Sequence, residues 1–364
     1  MKAGIVGLPN VGKSTLFNCL SNTKAQSANF PFCTIEPNHS IINVPDKRLM
    51  ALEDIVKPEK VVPATVEIVD IAGLVKGASK GEGLGNKFLA NIRETDAIIH
   101  VLRCFDNDNI THVDGSVDPV RDKEIIDIEL QLKDLESLNN RIEKVNRTAK
   151  SGDKDALREK EILQKAIAFI ESSNNIRSID LDIADINKYL KPLQLITSKP
   201  VLYVCNVDEN SLNSTNDHVE SVKSLISKEG ANLIVLAAGI ESEINELDDY
   251  EERRMFLDDL GLDVPGSSKL INATYDLLNL QTYFTAGPKE VRAWTIQKMA
   301  TAPQAAGVIH TDFEKGFIKA EVIAYNDYIN LKTEAKVREA GKMRIEGKDY
   351  IVKNGDIIHF LFNV

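Results

Sequence analysis

The stretch G-L-P-N-V-G-K-S, from Gly7 to Ser14, decides the fold of this chain. It follows the apolar run K-A-G-I-V and precedes T-L-F-N-C-L, so the sequence predicts a buried strand, a glycine-rich loop and a helix. In that context Gly7 and Gly12 let main-chain N–H groups point at phosphate oxygens, and Lys13 reaches the terminal phosphates. The hydroxyl of Ser14 can ligate Mg²⁺. The stretch therefore predicts an α/β domain with a P-loop that binds a mononucleotide.

Length and composition indicate a soluble chain of two or three domains. The 364 residues are 43% hydrophobic and 27% charged, with a net charge of -11. No signal segment follows Met1, and no run of eighteen apolar residues occurs, so we expect a cytoplasmic chain without a membrane partner. The four cysteines form no C-x-x-C pair, which disfavours a metal knuckle.

Charge is distributed unevenly along the chain. Residues 281–364 contain 12 Lys and Arg against 10 Asp and Glu, so the acidic excess lies in the first 280 residues. The acidic whole argues against nonspecific nucleic-acid binding, and we expect no DNA partner. The C-terminal segment is the part whose electrostatics would tolerate a polyanion such as RNA.

Two further stretches have the features of nucleotide-sensing loops. The polar stretch N-F-P-F-C-T-I-E-P-N, residues 29–38, precedes a predicted strand at 39–44, and we expect Thr34 to ligate Mg²⁺ together with Ser14. The strand V-E-I-V ends in D-I-A-G, where Asp70 can hold a metal-bound water and Gly73 can offer its N–H to the terminal phosphate.

The group that orients the attacking water is not evident from these loops. Leu74 occupies the position after Gly73 where related hydrolases carry a glutamine, and leucine cannot hydrogen-bond to water. After the glycine-rich segment 77–88 and a buried strand from Ala97, a polar loop contains His112. A neutral imidazole both donates and accepts, so His112 is the candidate for positioning the water.

Helical periodicity interrupts the alternating pattern between Asp122 and about Lys191. Two apolar repeats with spacings of three and four flank the breaker S-G-D at 151–153, which predicts an antiparallel coiled-coil hairpin. The residues of these repeats are Ile128, Leu135, Leu138, Ile142 and Val145, then Leu163, Ala166, Ile167 and Ile170. The sequence leaves two roles open for this hairpin: it presents a surface to a partner, or it packs back on the core of the protein.

The strand from Val201 ends in N-V-D-E, where GTP-binding proteins carry N-K-x-D. Asn206 matches that pattern, but Val207 replaces the lysine and Glu209 replaces the aspartate that reads guanine. The longer glutamate would crowd a guanine, so guanine selectivity is expected to be lost and ATP becomes the expected substrate. A further strand from Leu233 supplies the last wall of the base pocket.

Together these motifs resemble the YchF and Obg-like ATPase family, a branch of the P-loop GTPase superfamily. The resemblance extends to the C-terminal stretches L-Q-T-Y-F-T-A-G-P-K-E-V-R-A-W and G-K-D-Y-I-V-K-N-G-D-I-I-H-F, which look like the family's TGS domain, a ubiquitin-like β-grasp. It implies a G domain in two parts, 1–121 and 199–280, a helical insertion at 122–198 and a TGS domain at 281–364.

The resemblance also implies an activity and a set of site residues. It implies hydrolysis of ATP in preference to GTP, dependence on Mg²⁺, and association with the large ribosomal subunit in translation or stress regulation. By position, the implied residues are Asn10, Val11, Gly12, Lys13, Ser14 and Thr15 for the triphosphate, Ser14 and Thr34 for Mg²⁺, and Asn206 with Val207 for adenine. Superfamily members that have an asparagine at the position equivalent to Asn10 can also bind K⁺ next to the phosphates.

Two functions from different classes remain open at this stage. In one, the chain is a slow ATPase switch whose helical hairpin and TGS domain contact the ribosome or its RNA. In the other, it is a nucleotide-gated binding module, or a GTPase of relaxed specificity, in which hydrolysis is incidental.

Overall fold

A computed structural model of the chain describes residues 1–22, 38–71, 84–227, 229–247 and 249–363. The strands are, in chain order, β1 (Lys2–Val6), β2 (His39–Asn43), β3 (Lys60–Val62), β4 (Thr65–Asp70), β5 (Ala97–Arg103), β6 (Val201–Asn206), β7 (Asn232–Leu236), β8 (Leu280–Ala286), β9 (Glu290–Gln297), β10 (Phe317–Ile323), β11 (Arg344–Glu346) and β12 (Ile357–Phe362). The helices are α1 (Lys13–Asn22), α2 (Lys47–Val56), α3 (Leu84–Arg93), α4 (Pro119–Ala149), α5 (Lys154–Glu171), α6 (Ile183–Asp185), α7 (Asp217–Ser227), α8 (Ala238–Glu246), α9 (Tyr250–Asp259), α10 (Gly266–Leu277), α11 (Ala302–Ile309), α12 (Thr311–Lys315), α13 (Tyr325–Leu331) and α14 (Glu334–Glu339).

Two compact units share the chain. The first contains Met1–Ser40 and Glu67–Leu270, and the second contains Ile41–Val66 and Ile271–Val364. The grouping of 41–66 with the C-terminal residues was not expected from the sequence, and the four-part division at 121, 198 and 280 stays a prediction. In the ranges given above, none of the helices combines the length and the apolar composition that a membrane crossing requires.

The first sheet has the strand order β2-β4-β1-β5-β6-β7. Its registered pairs β1–β4, β1–β5, β5–β6 and β6–β7 are all parallel. β5 and β6 are buried along their whole length, as expected of central strands covered on both faces. The loops that follow these strands lie at one edge of the sheet, where open α/β sheets bind their ligands. This arrangement confirms the predicted P-loop α/β fold.

A long helical hairpin follows β5. α4 spans 31 residues, and α5 begins after Asp153, whose carboxylate accepts the Ala156 N–H at 2.7 Å. Gly152 takes a φ of 78° at the break, so the S-G-D segment ends the first helix as predicted. Leu138, Val145, Leu163, Ala166 and Ile170 are buried between the helices, with Leu135, Ile142 and Ile167 packed against them.

One residue of the predicted hairpin seam is misplaced. Ile128 is 51% exposed, whereas Ile126 and Leu130 are buried in its place. α4 contacts β5 and α7 as well as α5, and the α4 residues of the apolar cluster in the hairpin begin only at Leu135, so a different face of the helix is covered near Ile128. The prediction that Ile128 belongs to the coiled-coil seam is therefore wrong.

The second sheet has the order β11-β10-β12-β8-β9-β3. β8 and β9 form an antiparallel hairpin, β12 lies parallel to β8, and β10 pairs antiparallel with β12. α11 covers one face, where the Tyr283 hydroxyl donates to the Ala305 carbonyl at 2.9 Å. The hairpin, the helix and the central last strand form a β-grasp, as expected for a TGS domain. β3 extends this sheet by pairing parallel with β9, a feature the sequence did not indicate.

Candidate functional site

The phosphate loop connects β1 to α1, and two residues in it have left-handed backbone conformations. Asn10 has a φ of 63° and Gly12 a φ of 91°, so the second position requires glycine for its conformation alone. Space requires glycine there too, because a Cβ on Gly12 would overlap the Asn206 side-chain nitrogen. A Cβ on Gly7 would lie 2.7 Å from the Val101 carbonyl oxygen of β5. Close packing against β5 and β6 therefore holds the loop.

The first turn of α1 presents the groups predicted to contact phosphate and metal. Lys13 is largely buried, and its Nζ donates to the Ile71 carbonyl at 2.8 Å and lies 3.1 Å from Oδ1 of Asp70. Ser14 and Thr15 are exposed at the same helix terminus, where main-chain N–H groups and the helix dipole favour an anion. The structure thus brings the predicted residues on β4 and α1 together.

The oxygen donors at this point suit a magnesium ion. Oδ1 of Asp70 is buried and, within the described ranges, accepts no hydrogen bond of good geometry, although the ammonium of Lys13 is its ion-pair partner. A carboxylate oxygen in that condition retains lone pairs, and Mg²⁺ prefers oxygen ligands with water and phosphate completing its octahedron. Asp70 and the exposed hydroxyl of Ser14 therefore fit the group. Thr34, Gly73 and Leu74 lie outside the described residues.

Asn206 holds the phosphate loop to the loop after β7. Its Nδ2 donates to the Val11 carbonyl at 2.9 Å, and its Oδ1 accepts the Ala238 N–H at 2.9 Å. The side chain is buried, so both bonds form in a low-dielectric surrounding. The sequence predicted Asn206 as a base contact, and the structure gives it this clamping role.

The neighbouring residues of the base-reading motif differ in exposure. Val207 is buried and donates its N–H to the Leu236 carbonyl at 2.9 Å. Glu209 is exposed in a short turn, 209–211, that begins after Asp208. The carboxylate of Asp208 is used locally, since it accepts the Ser211 N–H at 2.9 Å. The exposed side chain of Glu209 follows it, and a role for Glu209 in contacting the base stays a prediction.

His112 lies in the loop 104–118 and has both ring nitrogens engaged. Its Nε2 lies 2.9 Å from Oδ2 of Asp122, and its Nδ1 accepts the Asp114 N–H at 3.1 Å. Because Nδ1 accepts, the ring proton is on Nε2 and is donated to the carboxylate. The imidazole is buried, so the geometry is that of an oriented His–Asp pair. A role for His112 in positioning water stays a prediction.

The loop 104–118 is tied to the phosphate loop by a direct contact. Nδ2 of Asn10 donates to the Thr111 carbonyl at 3.1 Å, one residue before His112. At the other end of the loop, Cys104 donates its N–H to the Asn206 carbonyl at 2.8 Å. The loop that contains the predicted water-positioning group therefore lies beside the predicted phosphate site.

Sequence reasoning missed two residues that flank this loop, Arg103 at the end of β5 and Asp122 in α4. Arg103 is the last residue of β5, is 1% exposed and donates to three carbonyls of the loop. Asp122 is 1% exposed and is the partner of His112. The signal for Arg103 was present, because an arginine within the apolar run A-I-I-H-V-L-R-C-F requires buried polar partners. No local pattern indicated the pairing of Asp122.

The thiols near the site are poor nucleophiles. The hydrogen bond with Cys205, together with burial, raises the pKa of the Cys104 thiol. Burial likewise raises the pKa of Cys19 on α1. A thiol with a raised pKa contains little thiolate at neutral pH, so these residues serve as core packing.

Comparison with known proteins agrees with this geometry. A family model described as "50S ribosome-binding GTPase" matches residues 2–133, and the model YchF-GTPase_C, described as "Protein of unknown function (DUF933)", matches residues 280–363. The "Ribosome-binding ATPase YchF" of Pasteurella multocida is 58% identical over 363 residues, with 100% of this chain and 99% of the relative covered. The protein of the same name from Bacillus subtilis is 54% identical, with 100% of both covered.

A solved structure leads to the same conclusion about the fold. The Schizosaccharomyces pombe YchF GTPase superposes with a TM-score of 0.90 at 40% sequence identity, covering 99% of this chain and 97% of that one. The match includes both sheets and the hairpin because it spans nearly the whole chain. The chain therefore belongs to the YchF family of P-loop nucleoside triphosphatases, as its phosphate loop and its C-terminal motifs led us to expect.

Proposed function

We propose that this chain binds and hydrolyses ATP with Mg²⁺, in preference to GTP, and that the nucleotide controls its association with the ribosome in the cytoplasm. The observation that carries the proposal is the close packing of Gly12 against Asn206, which joins the phosphate loop to the loops that line the base. This packing supports a single preformed nucleotide site at the carboxyl edge of the first sheet.

Lys13, Ser14 and Asp70 have distinct roles in this proposal. Lys13 exchanges Asp70 and the Ile71 carbonyl for the terminal phosphates, because its ammonium already lies at the start of α1. Ser14 and Asp70 hold Mg²⁺ directly or through water, together with Thr34, and Gly73 contacts the terminal phosphate. The ion, when bound, neutralises charge on the phosphates.

The preference for ATP follows from the motif N-V-D-E. The side chain of Glu209 is one methylene longer than that of the aspartate that pairs with guanine. The side chain of Val207 has neither a hydrogen-bond donor nor a charge. Calorimetric titration should give ATP an affinity at least about tenfold higher than GTP, a difference of about 1.4 kcal/mol. Equal affinities for the two nucleotides would contradict the argument from Glu209.

His112 is the group that we propose orients the attacking water. Asp122 keeps the proton on Nε2, so Nδ1 is the atom that would accept from water once the Asp114 N–H is released. Substitution of His112 by alanine should slow single-turnover hydrolysis without changing nucleotide affinity. An unchanged rate would remove this residue from the mechanism.

A monovalent cation completes the proposed site. The side-chain nitrogen of Asn10, Nδ2, donates to the Thr111 carbonyl. The side-chain oxygen of Asn10, Oδ1, is the atom that we propose contacts an ion such as K⁺ beside the phosphates. Hydrolysis should be faster in potassium chloride than in sodium chloride at equal ionic strength. The same comparison on an Asn10→Ala variant should show no difference between the two salts.

The ribosome is the proposed partner because the matched relatives are called ribosome-binding ATPases. We propose the large subunit or its RNA as the component, with the β-grasp domain and the helical hairpin as the contacting surfaces. Co-sedimentation of the chain with ribosomes should differ between no nucleotide, ATP and a non-hydrolysable analogue. Identical binding in all three would reject the switch.

Deletion of the C-terminal domain is a poor test of that surface, since β3 in residues 60–62 pairs with β9 and would lose its partner. Charge reversal is cleaner, and exposed basic residues are available on both candidate surfaces. One variant changes Lys336, Lys348 and Lys353 to glutamate, and its counterpart changes Lys144, Arg147 and Lys150. The variant that loses ribosome binding while keeping ATP affinity identifies the contact.

A second candidate function is a nucleotide-gated binding module in which hydrolysis is incidental. The observation in its favour is that both ring nitrogens of His112 are engaged by protein groups. Under this alternative, His112→Ala leaves the nucleotide dependence of ribosome binding and release unchanged over many cycles. Under the switch, the variant binds with ATP and fails to release.

A further inference from the structure

We propose that Arg103 is a positioning residue for nucleotide hydrolysis, acting through the loop 104–118 that contains His112. The inference rests on the proposed hydrolysis at the phosphate loop and deepens it. Arg103 lies outside the nucleotide-binding motifs, at the end of a buried strand, and among the described residues its hydrogen bonds go to the loop 104–118.

Three hydrogen bonds fix the loop around the guanidinium of Arg103. Its Nε donates to the carbonyl of Phe105 at 3.1 Å, its Nη1 to that of Ile110 at 2.9 Å, and its Nη2 to that of Asn107 at 3.2 Å. The guanidinium also lies over the ring of Phe105, with 4.7 Å between Cζ and the ring centroid. One side chain thus fixes the path of the backbone over residues 105–110.

The chemistry of this arrangement requires an arginine. The side chain is 1% exposed, and its hydrogen bonds in the described ranges go to neutral carbonyls. A buried charge is costly unless its donor atoms find acceptors, and the rigid planar fork of arginine gives each of its three nitrogens a carbonyl partner here. A lysine ammonium on its flexible stem cannot reach three carbonyls spread over six residues.

The anchored segment leads directly into the predicted catalytic group. The last carbonyl that Arg103 holds, at Ile110, is followed by Thr111, which binds Asn10, and then by His112, which binds Asp122. Displacement of the 105–110 backbone therefore shifts the imidazole relative to the phosphate loop. Errors of about 1 Å in the position of a catalytic group can reduce rates by about a hundredfold.

A purely structural role for Arg103 predicts a different outcome. Loss of fold would reduce nucleotide binding and hydrolysis together, whereas loss of loop position reduces hydrolysis alone. Gly12 and Asn206 hold the phosphate loop through contacts that do not involve the guanidinium of Arg103, so the affinity for nucleotide should survive a change at Arg103. The split between turnover and affinity therefore distinguishes the two roles.

The main experiment compares Arg103→Lys with the wild type in single-turnover ATP hydrolysis and in calorimetric ATP binding. The expected result is a rate about ten- to a hundredfold lower, with an ATP dissociation constant within about twofold. Arg254→Lys, at an exposed position of α9, is the matched control and should behave as the wild type. An unchanged rate for Arg103→Lys, or equal losses in rate and affinity, overturns the inference.

A double-mutant cycle with His112→Ala tests the route of the effect. If Arg103 acts through His112, the double variant hydrolyses no more slowly than His112→Ala alone. If the two losses multiply, the residues act independently and the inference is wrong. If the wild type itself does not hydrolyse ATP, the proposed function fails first, and the cycle then has no rate to partition.

A second variant keeps the test decisive if Arg103→Lys does not fold. Phe105→Ala removes the ring beneath the guanidinium but leaves the charge and its carbonyl partners in place. It should lower the rate about threefold with affinity unchanged and should add nothing to His112→Ala. In this variant the amide hydrogens of residues 104–118 should exchange faster than in the wild type, whereas those of β1 should exchange at an unchanged rate. An exchange rate in that loop equal to the wild-type rate counts against the inference.

Discussion

The phosphate loop at 7–12 and the loop at 104–118 follow neighbouring parallel strands, yet different parts of the chain hold them in shape. The backbone shapes the first loop, through the left-handed conformations of Asn10 and Gly12. Side chains shape the second, through Arg103 and His112, whose partners include main-chain groups and a carboxylate. The first arrangement suits an anion because it offers main-chain donors, and the second suits the positioning of a side chain, which are the roles we propose for them.

This difference predicts that the two loops control different steps. Changes in the backbone-shaped loop should reduce nucleotide affinity, because they alter the donors themselves. Changes in the loop shaped by side chains should reduce the rate of hydrolysis at unchanged affinity. The variants below test the separation in order of decreasing expected effect.

Gly12→Ala should have the largest effect. The new Cβ would overlap the Asn206 side chain, and alanine is strained at a φ of 91°. Nucleotide affinity should fall by about a hundredfold or more, which corresponds to about 2.8 kcal/mol. Gly115→Ala is the matched control, because Gly115 has a φ of 80° but its Cβ would meet nothing within 4 Å. The control should lose about 1 kcal/mol of stability and no affinity; equal losses of affinity would refute the packing argument.

Asn206→Ala should have the next largest effect. It removes the bonds to the Val11 carbonyl and the Ala238 N–H, each in a buried surrounding where an unpaired group costs about 1–3 kcal/mol. ATP affinity measured by calorimetry should fall about thirtyfold. Asn210→Ala, in the exposed turn that follows, should leave affinity unchanged. A variant at Asn206 that binds ATP normally would show that the clamp between the loops is dispensable.

Asp122→Asn should slow hydrolysis about tenfold at constant ATP affinity. The carboxylate accepts from Nε2 of His112, and a neutral amide is a weaker and less selective partner for the ring. Single-turnover rates and calorimetric affinities measure the split. Asp108→Asn, at an exposed position in the same loop, serves as the control. A loss of affinity at Asp122 would mean that the second loop also shapes the phosphate site.

Glu209→Asp should have the smallest effect. The shorter carboxylate restores part of the guanine-reading pattern, but Val207 remains without the lysine. The ratio of ATP to GTP affinity should fall about threefold, and the hydrolysis rate at saturating ATP should not change. A changed rate with an unchanged ratio would place Glu209 in the hydrolytic machinery instead of the base pocket.

The sequence allowed the prediction of the features that depend on neighbours along the chain. Residues 7–14 contain the glycines and the lysine within a few positions, so the strand, loop and helix were predictable. The S-G-D break between α4 and α5 was predictable for the same reason. Ile128 was not, because periodicity does not reveal which neighbour covers each turn of a long helix.

Features made by distant residues were not predictable in this way. β3 lies in residues 60–62 and completes a sheet whose other strands begin at residue 280, and no local pattern marks an edge strand of three residues. Arg103 shows a different limit, because its partners lie only two to seven residues away, yet its apolar neighbours indicated no more than a buried strand. Its partners are carbonyls, which every residue has, so the sequence contains no complementary side chain to identify them.

By itself, therefore, the sequence determined that a phosphate loop exists and that N-V-D-E replaces the N-K-x-D pattern, because those properties depend on the identities of adjacent residues. The tertiary structure alone decided that Asn206 clamps Val11 across a separation of 195 residues and that Arg103 and Asp122 hold the loop that contains His112. The physical reason is that hydrogen bonds act over about 3 Å in space, irrespective of separation along the chain.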